Sequence, residues 1–254
     1  MEGFWENDPS TNSPRNAENF NLLSAGWTKL KVGDTLTYSS ADAPTYVLST
    51  NNDTTGYLSV GMKLRLKHGG VTKYFFITAI DASTITLYGG TDYTLLATAI
   101  TEVFFSVHKS PYGFPMDKNK WTIIKIDTSD RVEETPVAKT WYNLGNISQA
   151  IAIGSWNISM SVLGQISLGG DPAGNKYLQV ALSTSTSSVS DDQLRNSIAS
   201  SAGFVRLPMF VERDVVLTSK TTFYAIARNV LKTELISFVN SEKPLIIKAV
   251  CTYL

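Results

Sequence analysis

Residues 156–162 alternate strictly between apolar and polar side chains, and this pattern restricts the fold more than any other feature of the chain. The apolar members are Trp156, Ile158, Met160 and Val162, and the polar members are Asn157, Ser159 and Ser161. A period of two is typical of a β-strand that packs one face on a core and turns the other to water or to a neighbour. The nearly continuous apolar run at residues 245–254 predicts a central strand, which we expect to pair with the strand around Trp156.

The same alternation recurs at residues 177–183 and 221–227. Helical periodicity is poor almost throughout, and only residues 191–200 combine acidic residues at the start with Leu194 and Ile198 four positions apart. We interpret that segment as an irregular loop with at most one or two helical turns. The sequence therefore predicts an all-β protein in which residues 140–254 form an antiparallel β-sandwich.

Short strand-like runs separated by turn residues fill the region between Trp27 and Trp121. Six of them occur, at residues 31–39, 45–49, 63–68, 71–80, 83–88 and 101–107. Hairpin turns are predicted at residues 68–70, 81–83 and 89–92, where glycine or aspartate favours a tight reversal of the chain. Such spacing predicts a small antiparallel β-barrel-like module over residues 25–122. Residues 123–139 are interpreted as a linker, because Pro136 holds the residue before it in an extended conformation.

Residues 1–24 are rich in Asn, Pro and Ser and hold only a few large apolar side chains. A segment of this composition cannot form a core of its own. One interpretation is a frayed terminus. The other, which we prefer, is an arm that docks into a neighbouring protein through its apolar side chains. The docking candidates are Phe4, Trp5, Phe20 and Leu23.

Charge and cysteine content exclude several classes of partner and site. Lys plus Arg and Asp plus Glu number 22 each, so no basic surface for nucleic acid is predicted. Cys251 is the only cysteine and lies in the apolar run 245–254, so we expect a buried thiol and no disulfide framework. No segment matches a signal peptide or a membrane span, and we therefore expect folding in the cytosol without membrane insertion.

The two histidines do not form a recognisable catalytic or metal-binding pattern. His68 precedes two glycines and His108 precedes Lys109-Ser110-Pro111, so both are predicted to be exposed turn residues. No strained G-x-S-x-G turn is present for serine hydrolysis, and no glycine-rich loop has the spacing that binds phosphate.

Carboxylates occur as adjacent pairs at residues 133–134 and 191–192. Neighbouring residues of a strand point to opposite faces, so neither pair can flank one glycosidic bond. Residues 51–53 and 169–171 carry calcium-type ligands, but Asn, Asp and Gly are first of all turn residues. We therefore predict no enzyme activity, no cofactor and no metal ion.

The chain holds 5 Trp, 11 Tyr and 11 Phe. Most of these aromatic side chains are expected in cores, because they bury the largest apolar area. A minority could instead stack on sugars or fill a subunit interface.

Three blocks of the sequence are similar to structural proteins of phages that infect Gram-positive bacteria. NSPRNAENFNLL at residues 12–23 resembles a segment near the start of many tail and baseplate proteins. Residues 36–96, with VGMKLRLKHGGVTKYFFITAI and ITLYGGTDYTL, resemble a small β module of such proteins that ends in SPYGFPMDKNKWT at residues 110–122. TWYNLGN, GSWNISMSV, TTFYAIARN and CTYL resemble the C-terminal domain of phage tail-fibre and receptor-binding proteins.

The resemblance implies a virion component without enzymatic activity, assembled in the host cytoplasm as a homotrimer with a jelly-roll-like C-terminal sandwich. It also implies that the arm binds other virion proteins of the tail, baseplate or capsid, and that the sandwich binds a host cell-wall polysaccharide. Residues 123–139 contain no heptad repeat, which favours a short tail fibre or spike over a long fibre. A head fibre, a capsid decoration or a connector protein with a purely architectural role is the alternative.

Overall fold

The computed structural model describes residues 25–167, 176–200, 204–231 and 233–253, and the chain divides into two compact units between Asp117 and Lys118. The arm, with its docking candidates Phe4, Trp5, Phe20 and Leu23, lies outside the described residues. Both units are all-β, as the alternating patterns predict. None of the helices among the described residues has the length and apolar character needed to cross a bilayer.

The first unit is an antiparallel half-barrel. Its described strands are β1 (Thr28–Lys29), β2 (Leu36–Asp42), β3 (Thr45–Thr50), β4 (Lys63–His68), β5 (Val71–Ile80), β6 (Thr84–Tyr88) and β7 (Ile100–Ser106). They follow the order β1-β7-β4-β5-β6-β3-β2. Inward-facing side chains of these strands, such as Leu48, Leu64, Phe75 and Ile85, are fully buried and form the core.

Two of the three predicted hairpin turns of this unit are confirmed. Gly69 and Gly70, with φ values of 58° and 81°, join the paired strands β4 and β5. The Asp81 carboxylate accepts hydrogen bonds from the Ser83 and Thr84 amides at 2.8 and 2.7 Å and joins β5 to β6. The third, at residues 89–92, is wrong, because β4 and β5 lie between β6 and β7 in the sheet. The chain must therefore cross the sheet there instead of reversing.

The second unit is a sandwich of two antiparallel sheets. One sheet has the order β10-β15-β12-β13, made of β10 (Ser148–Ile151), β12 (Lys176–Ser183), β13 (Arg195–Ser200) and β15 (Thr221–Asn229). The other contains β8 (Ile123–Asp127), β9 (Arg131–Glu134), β11 (Gly154–Ser167), β14 (Phe204–Leu217), β16 (Leu235–Phe238) and β17 (Leu245–Tyr253). In that second sheet β14 pairs with one edge of β11, while β17 and β16 share its other edge.

The strand around Trp156 is the centre of the second unit. Its four alternating apolar side chains are completely buried between the sheets, as predicted: Trp156, Ile158, Met160 and Val162. β17 lies between β8 and β11, which confirms the predicted central strand and its pairing partner. Cys251 is buried on β17, and its thiol donates to the Ser155 carbonyl at 3.7 Å. The periodicity of two thus placed β11 correctly, and the continuous apolar run placed β17.

Two segments differ from the expectations drawn from the sequence. The stretch 123–139, interpreted as a linker, contributes strands β8 and β9 to the second unit, where they pair with β17 and β16. In residues 191–200, a single 3-10 turn spans Asp192–Leu194, and the rest is strand β13. In β8 and β9 most side chains are exposed or half-exposed. These edge strands therefore lack the apolar period that would have marked them, and backbone pairing determines their position.

Candidate functional site

The six-stranded sheet of the second unit turns one face away from the core, and this outer face is the main candidate site. At Gly164 of β11, which lies on the inner face, an added Cβ would approach Leu178 of β12 to 2.8 Å. Residues of β11 with odd numbers therefore point outward. Asn157, Ser159 and Ser161 lie on this side and are half-buried, in agreement with the predicted polar face.

Two cross-strand rows define the middle of the outer face. In the first, Ser161 lies between Ile246 of β17 and Phe210 of β14, and Ile246 is followed by Ile126 of β8. Ile126 is 56% exposed and Phe210 is 53% exposed. The serine row of β11 is thus a shallow trough between an isoleucine edge and a phenylalanine edge.

The second row adds opposite charges to the two edges. Ser159 lies between Lys248 of β17 and Glu212 of β14, and Lys248 is followed by Ile124 of β8, which is 50% exposed. Lys248 and Glu212 are both exposed. One edge of the outer face is therefore apolar and basic, and the other is apolar and acidic.

Polar contacts fix both ends of the outer face. At one end, the Asn157 amide donates to the Asp214 carboxylate at 3.0 Å. At the other, Arg206 donates to Gln165 at 2.6 Å and forms an ion pair with Glu242. These contacts join β14 to its neighbours, so the exposed apolar side chains stand on a braced sheet.

Next to this face, a hydrogen-bonded cluster ties the turn between β8 and β9 to the loop before β17. Arg131 contacts both oxygens of Asp127 at 2.9 Å, and Asn240 donates to the same carboxylate at 2.8 Å. The Arg131 hydrogen bond holds the pKa of Asp127 below its usual value, and burial opposes this effect. The cluster fixes the position of β8, and hence of the isoleucine edge.

A second surface feature is a groove in the first unit, where β2 and the start of β7 do not pair. Its volume is about 540 Å³, and it is lined by residues 29–36 and 100–104. Beside it the Tyr57 hydroxyl donates to Asp34 at 2.6 Å, and Lys31 lies 4.3 Å from the Tyr57 ring centre. Burial raises the pKa of Tyr57, and the hydrogen bond from Tyr57 lowers the pKa of Asp34. Mixed charges and an open shape give this groove no single ligand chemistry.

His68 is 5% exposed, so the prediction of an exposed turn histidine is wrong for it, whereas His108 is exposed as predicted. The loop after β6 folds over the ring, and Thr98 Oγ1 lies 2.6 Å from its Nε2. Lys73 Nζ lies 3.2 Å from Nδ1 and donates to the Thr94 carbonyl at 2.6 Å. The amide nitrogen and the carbonyl oxygen of Leu96 both lie 3.2 Å from Nε2. The cluster holds the loop in place.

The carboxylate pairs do not converge on a reaction centre. Residues 133–134 lie in β9 and alternate in burial, as expected for opposite faces. Asp191 caps the following 3-10 turn and forms an ion pair with Arg213, and Asp192 pairs with Arg195 at 3.1 Å. Among the residues that the structure describes, no three His, Cys, Asp or Glu side chains lie close enough together to hold a metal ion.

The predicted turn at residues 51–53 is confirmed, because its side chains hydrogen-bond the chain around it. Asn51 accepts from the Thr35 amide at 2.7 Å, and Asp53 accepts from the Thr55 amide at 2.9 Å. Residues 169–171 lie outside the described residues. Most aromatic side chains of the first unit are core residues, and Trp27 is 1% exposed against Tyr74 at a centroid distance of 5.8 Å.

Most of the residues that form the outer face were not predicted from the sequence. Ile124 and Ile126 lie in the stretch interpreted as a linker, and Phe210 lies in β14, for which no strand was predicted. The apolar residues at every second position of FVRLPMFVERDVVL, interrupted only by Arg213, are a usable signal for β14. Which residues of separate strands share a row depends on register, and register is a tertiary property.

No protein-family model matches this chain, and neither does any curated protein sequence. Among solved structures, the infectious bursal disease virus Gx strain matches at 11% identity and a TM-score of 0.27, over 89% of this chain and 62% of that chain. A VP2 subviral particle of the same virus matches at 11% and 0.23, over 84% and 62%. The tandem CBM22 domain of Paenibacillus barcinonensis Xyn10C matches at 10% and 0.21, over 89% and 93%. The chain thus spans 62% of the two viral chains, and similarity at this level carries no inference about function.

Proposed function

We propose that this chain is a non-enzymatic structural protein of a phage virion, assembled as a homotrimer through the outer face of its second unit. The observation that carries the proposal is the exposure of Ile124, Ile126 and Phe210, each at least half exposed, on one regular sheet face. Burying a fully exposed side chain of this kind stabilises an assembly by about 1.5–3 kcal/mol, so each of these half-exposed side chains would contribute about half as much. Monomeric proteins rarely expose large contiguous apolar patches.

The more specific proposal is a short tail-fibre or receptor-binding component that attaches the virion to the host cell wall. The resemblance of residues 12–23, 36–122 and the C-terminal motifs to phage tail proteins supports it. In this arrangement residues 1–24 bind the virion and the sandwich contacts a cell-wall polysaccharide. A head fibre, capsid decoration or connector protein would use the same self-association without a receptor.

The assembled mass tests the structural role. Light scattering of the purified chain at micromolar concentration is expected to give three times the chain mass of 27.8 kDa. Replacing Ile126 and Phe210 together with aspartate should convert this species to monomers, because two charges would then be buried at each contact. A wild-type chain that stays monomeric across the concentration range would contradict the proposal.

Host attachment is tested with the purified chain, full-length and lacking residues 1–24. Both forms are expected to bind intact host cells, and extracted wall polysaccharide should compete. Only the full-length form should enter assembled virions, because the arm is the proposed docking segment. If neither form binds any sensitive strain while incorporation still requires the arm, the architectural alternative is favoured. Loss of the circular-dichroism spectrum on truncation would instead assign the arm to the fold of the first unit.

A further inference from the structure

We infer that the partner of the outer face is a second copy of this chain, placed so that the basic isoleucine edge of one copy meets the acidic phenylalanine edge of the next. This inference rests on the proposed self-association and specifies its contacts. At each contact, one copy contributes Lys248 and Ile126, and the next copy contributes Glu212 and Phe210. The interface would therefore pair unlike edges of the same sheet.

The positions of the charges carry the argument. Lys248 and Glu212 lie on opposite sides of Ser159, on β17 and β14. Neighbouring strands are about 4.8 Å apart, so the two Cα atoms are separated by roughly 10 Å across β11. Neither side chain forms an ion pair among the described residues, whereas other charged side chains there do. Each edge thus presents a charge to whatever covers the face.

The apolar side chains lie directly beside these charges. Ile124 shares the row of Lys248, and Phe210 is two positions before Glu212 on the same side of β14. A partner that covers the isoleucine edge must supply an apolar group and an anion, and the phenylalanine edge supplies both. A partner that covers the phenylalanine edge must supply an apolar group and a cation, and the isoleucine edge supplies both. The chain is therefore complementary to itself, and such complementarity fixes register and favours the correct partner.

The extent of the face fits a protein partner. β11 has 14 residues, which at about 3.4 Å per residue and a width of four strands gives an area of roughly 900 Å². A stable interface buries about 800 Å² on each partner, so the two contacts that one copy makes in a trimer together cover about the area of one such interface. Sugar sites are expected to offer flat aromatic platforms beside polar groups, whereas the two rows here combine one aromatic ring, that of Phe210, with serine, isoleucine and charged side chains. Neighbouring copies on the two edges thus cover the face between them, and each supplies the matching chemistry.

Charge reversal tests the pairing. Lys248→Glu and Glu212→Lys, made separately, each place like charges at every contact, and each should raise the dissociation constant of the assembly by a factor of ten or more. Combining both reversals in one chain restores unlike charges at every contact and should recover the wild-type constant to within a few-fold. The contrast should shrink in about 1 M salt, where charges are screened within about 3 Å. Sedimentation at a series of concentrations measures the constants.

Lys125→Glu is the matched control, because Lys125 is also exposed on β8 but pairs with Ile247, which faces the core side of the sheet. This variant should assemble like the wild type, and circular dichroism should confirm that every variant is folded. Single reversals that leave the constant unchanged, or a double variant that stays dissociated, would overturn the inference. If the single reversals abolish polysaccharide binding but not assembly, the face is a ligand surface and the inference is likewise overturned. A monomeric wild type would refute the proposed self-association itself, which is a separate outcome.

Discussion

Replacing Trp156 with alanine is expected to lower the free energy of unfolding of the second unit by about 3–5 kcal/mol. The indole is completely buried between the two sheets, and its Nε1 donates to the Ala152 carbonyl at 2.9 Å. Alanine would leave a cavity in the core and deprive a buried carbonyl of its donor. The loss is a large fraction of the roughly 5–15 kcal/mol that stabilises an ordinary domain, so the midpoint of unfolding should fall markedly.

Urea unfolding followed by far-ultraviolet circular dichroism measures this change. The protein concentration must be held constant, because self-association would add to the apparent stability. Asn157→Ala is the control, since Asn157 is the next residue of the same strand but lies on the outer face. It should cost no more than about 1 kcal/mol, the usual net value of one hydrogen bond. Equal effects of the two substitutions would contradict the assignment of Trp156 to the core.

Replacing Gly89 with alanine is expected to destabilise the first unit by about 1–3 kcal/mol, and replacing it with valine by more. A Cβ at this position would lie 2.6 Å from Cε1 of the Phe75 ring and 3.0 Å from Cβ of Tyr93. The Phe75 ring is fully buried and rigid, so it cannot move away without disturbing the core around it. Glycine is therefore required at this position because there is no room for a Cβ. Its backbone conformation does not require glycine, since its φ is not in the left-handed region.

Gly56→Ala is the matched control, because no atom lies within 4 Å of a Cβ at that position and its φ is also ordinary. This variant should be as stable as the wild type or slightly more stable, since alanine restricts the unfolded chain. Thermal unfolding of the two variants, compared at one protein concentration, separates the close contact from the general effect of replacing a glycine. A Gly89→Ala protein that melts with the wild type would show that the chain around Phe75 adapts easily.

The same glycine shows where reasoning from the sequence reaches its limit. Gly89 and Gly90 were interpreted as a hairpin turn because glycine favours tight reversals, yet the strands on either side of them do not pair. His68 was likewise predicted to be exposed because it precedes two glycines. It is buried by the loop that contains Thr94 and Thr98, which lies far along the chain. In both cases the deciding neighbour is distant in sequence. Local turn chemistry cannot reveal such a neighbour.

What the sequence by itself determined is the all-β class and the strands whose apolar pattern is regular, such as β11, β12, β15 and β17. Alternation at residues 156–162 predicted the core face of β11, and the apolar run at 245–254 predicted β17 as its central partner. These patterns survive in the sequence because transfer of apolar surface from water is the dominant stabilising contribution to folding, and it requires the right residue type at each buried position.

Tertiary structure alone decided where the edge strands lie, and the candidate site includes edge strands. Strands β8, β9 and β13 are held by backbone hydrogen bonds, which any residue except proline can donate, so their sequences carry little periodic signal. The outer face exists only because register places Ile126, Ser161 and Phe210 in one row, from strands that are far apart in the chain. A shift of one residue would turn each of these side chains to the opposite face, since successive residues of a strand point in opposite directions.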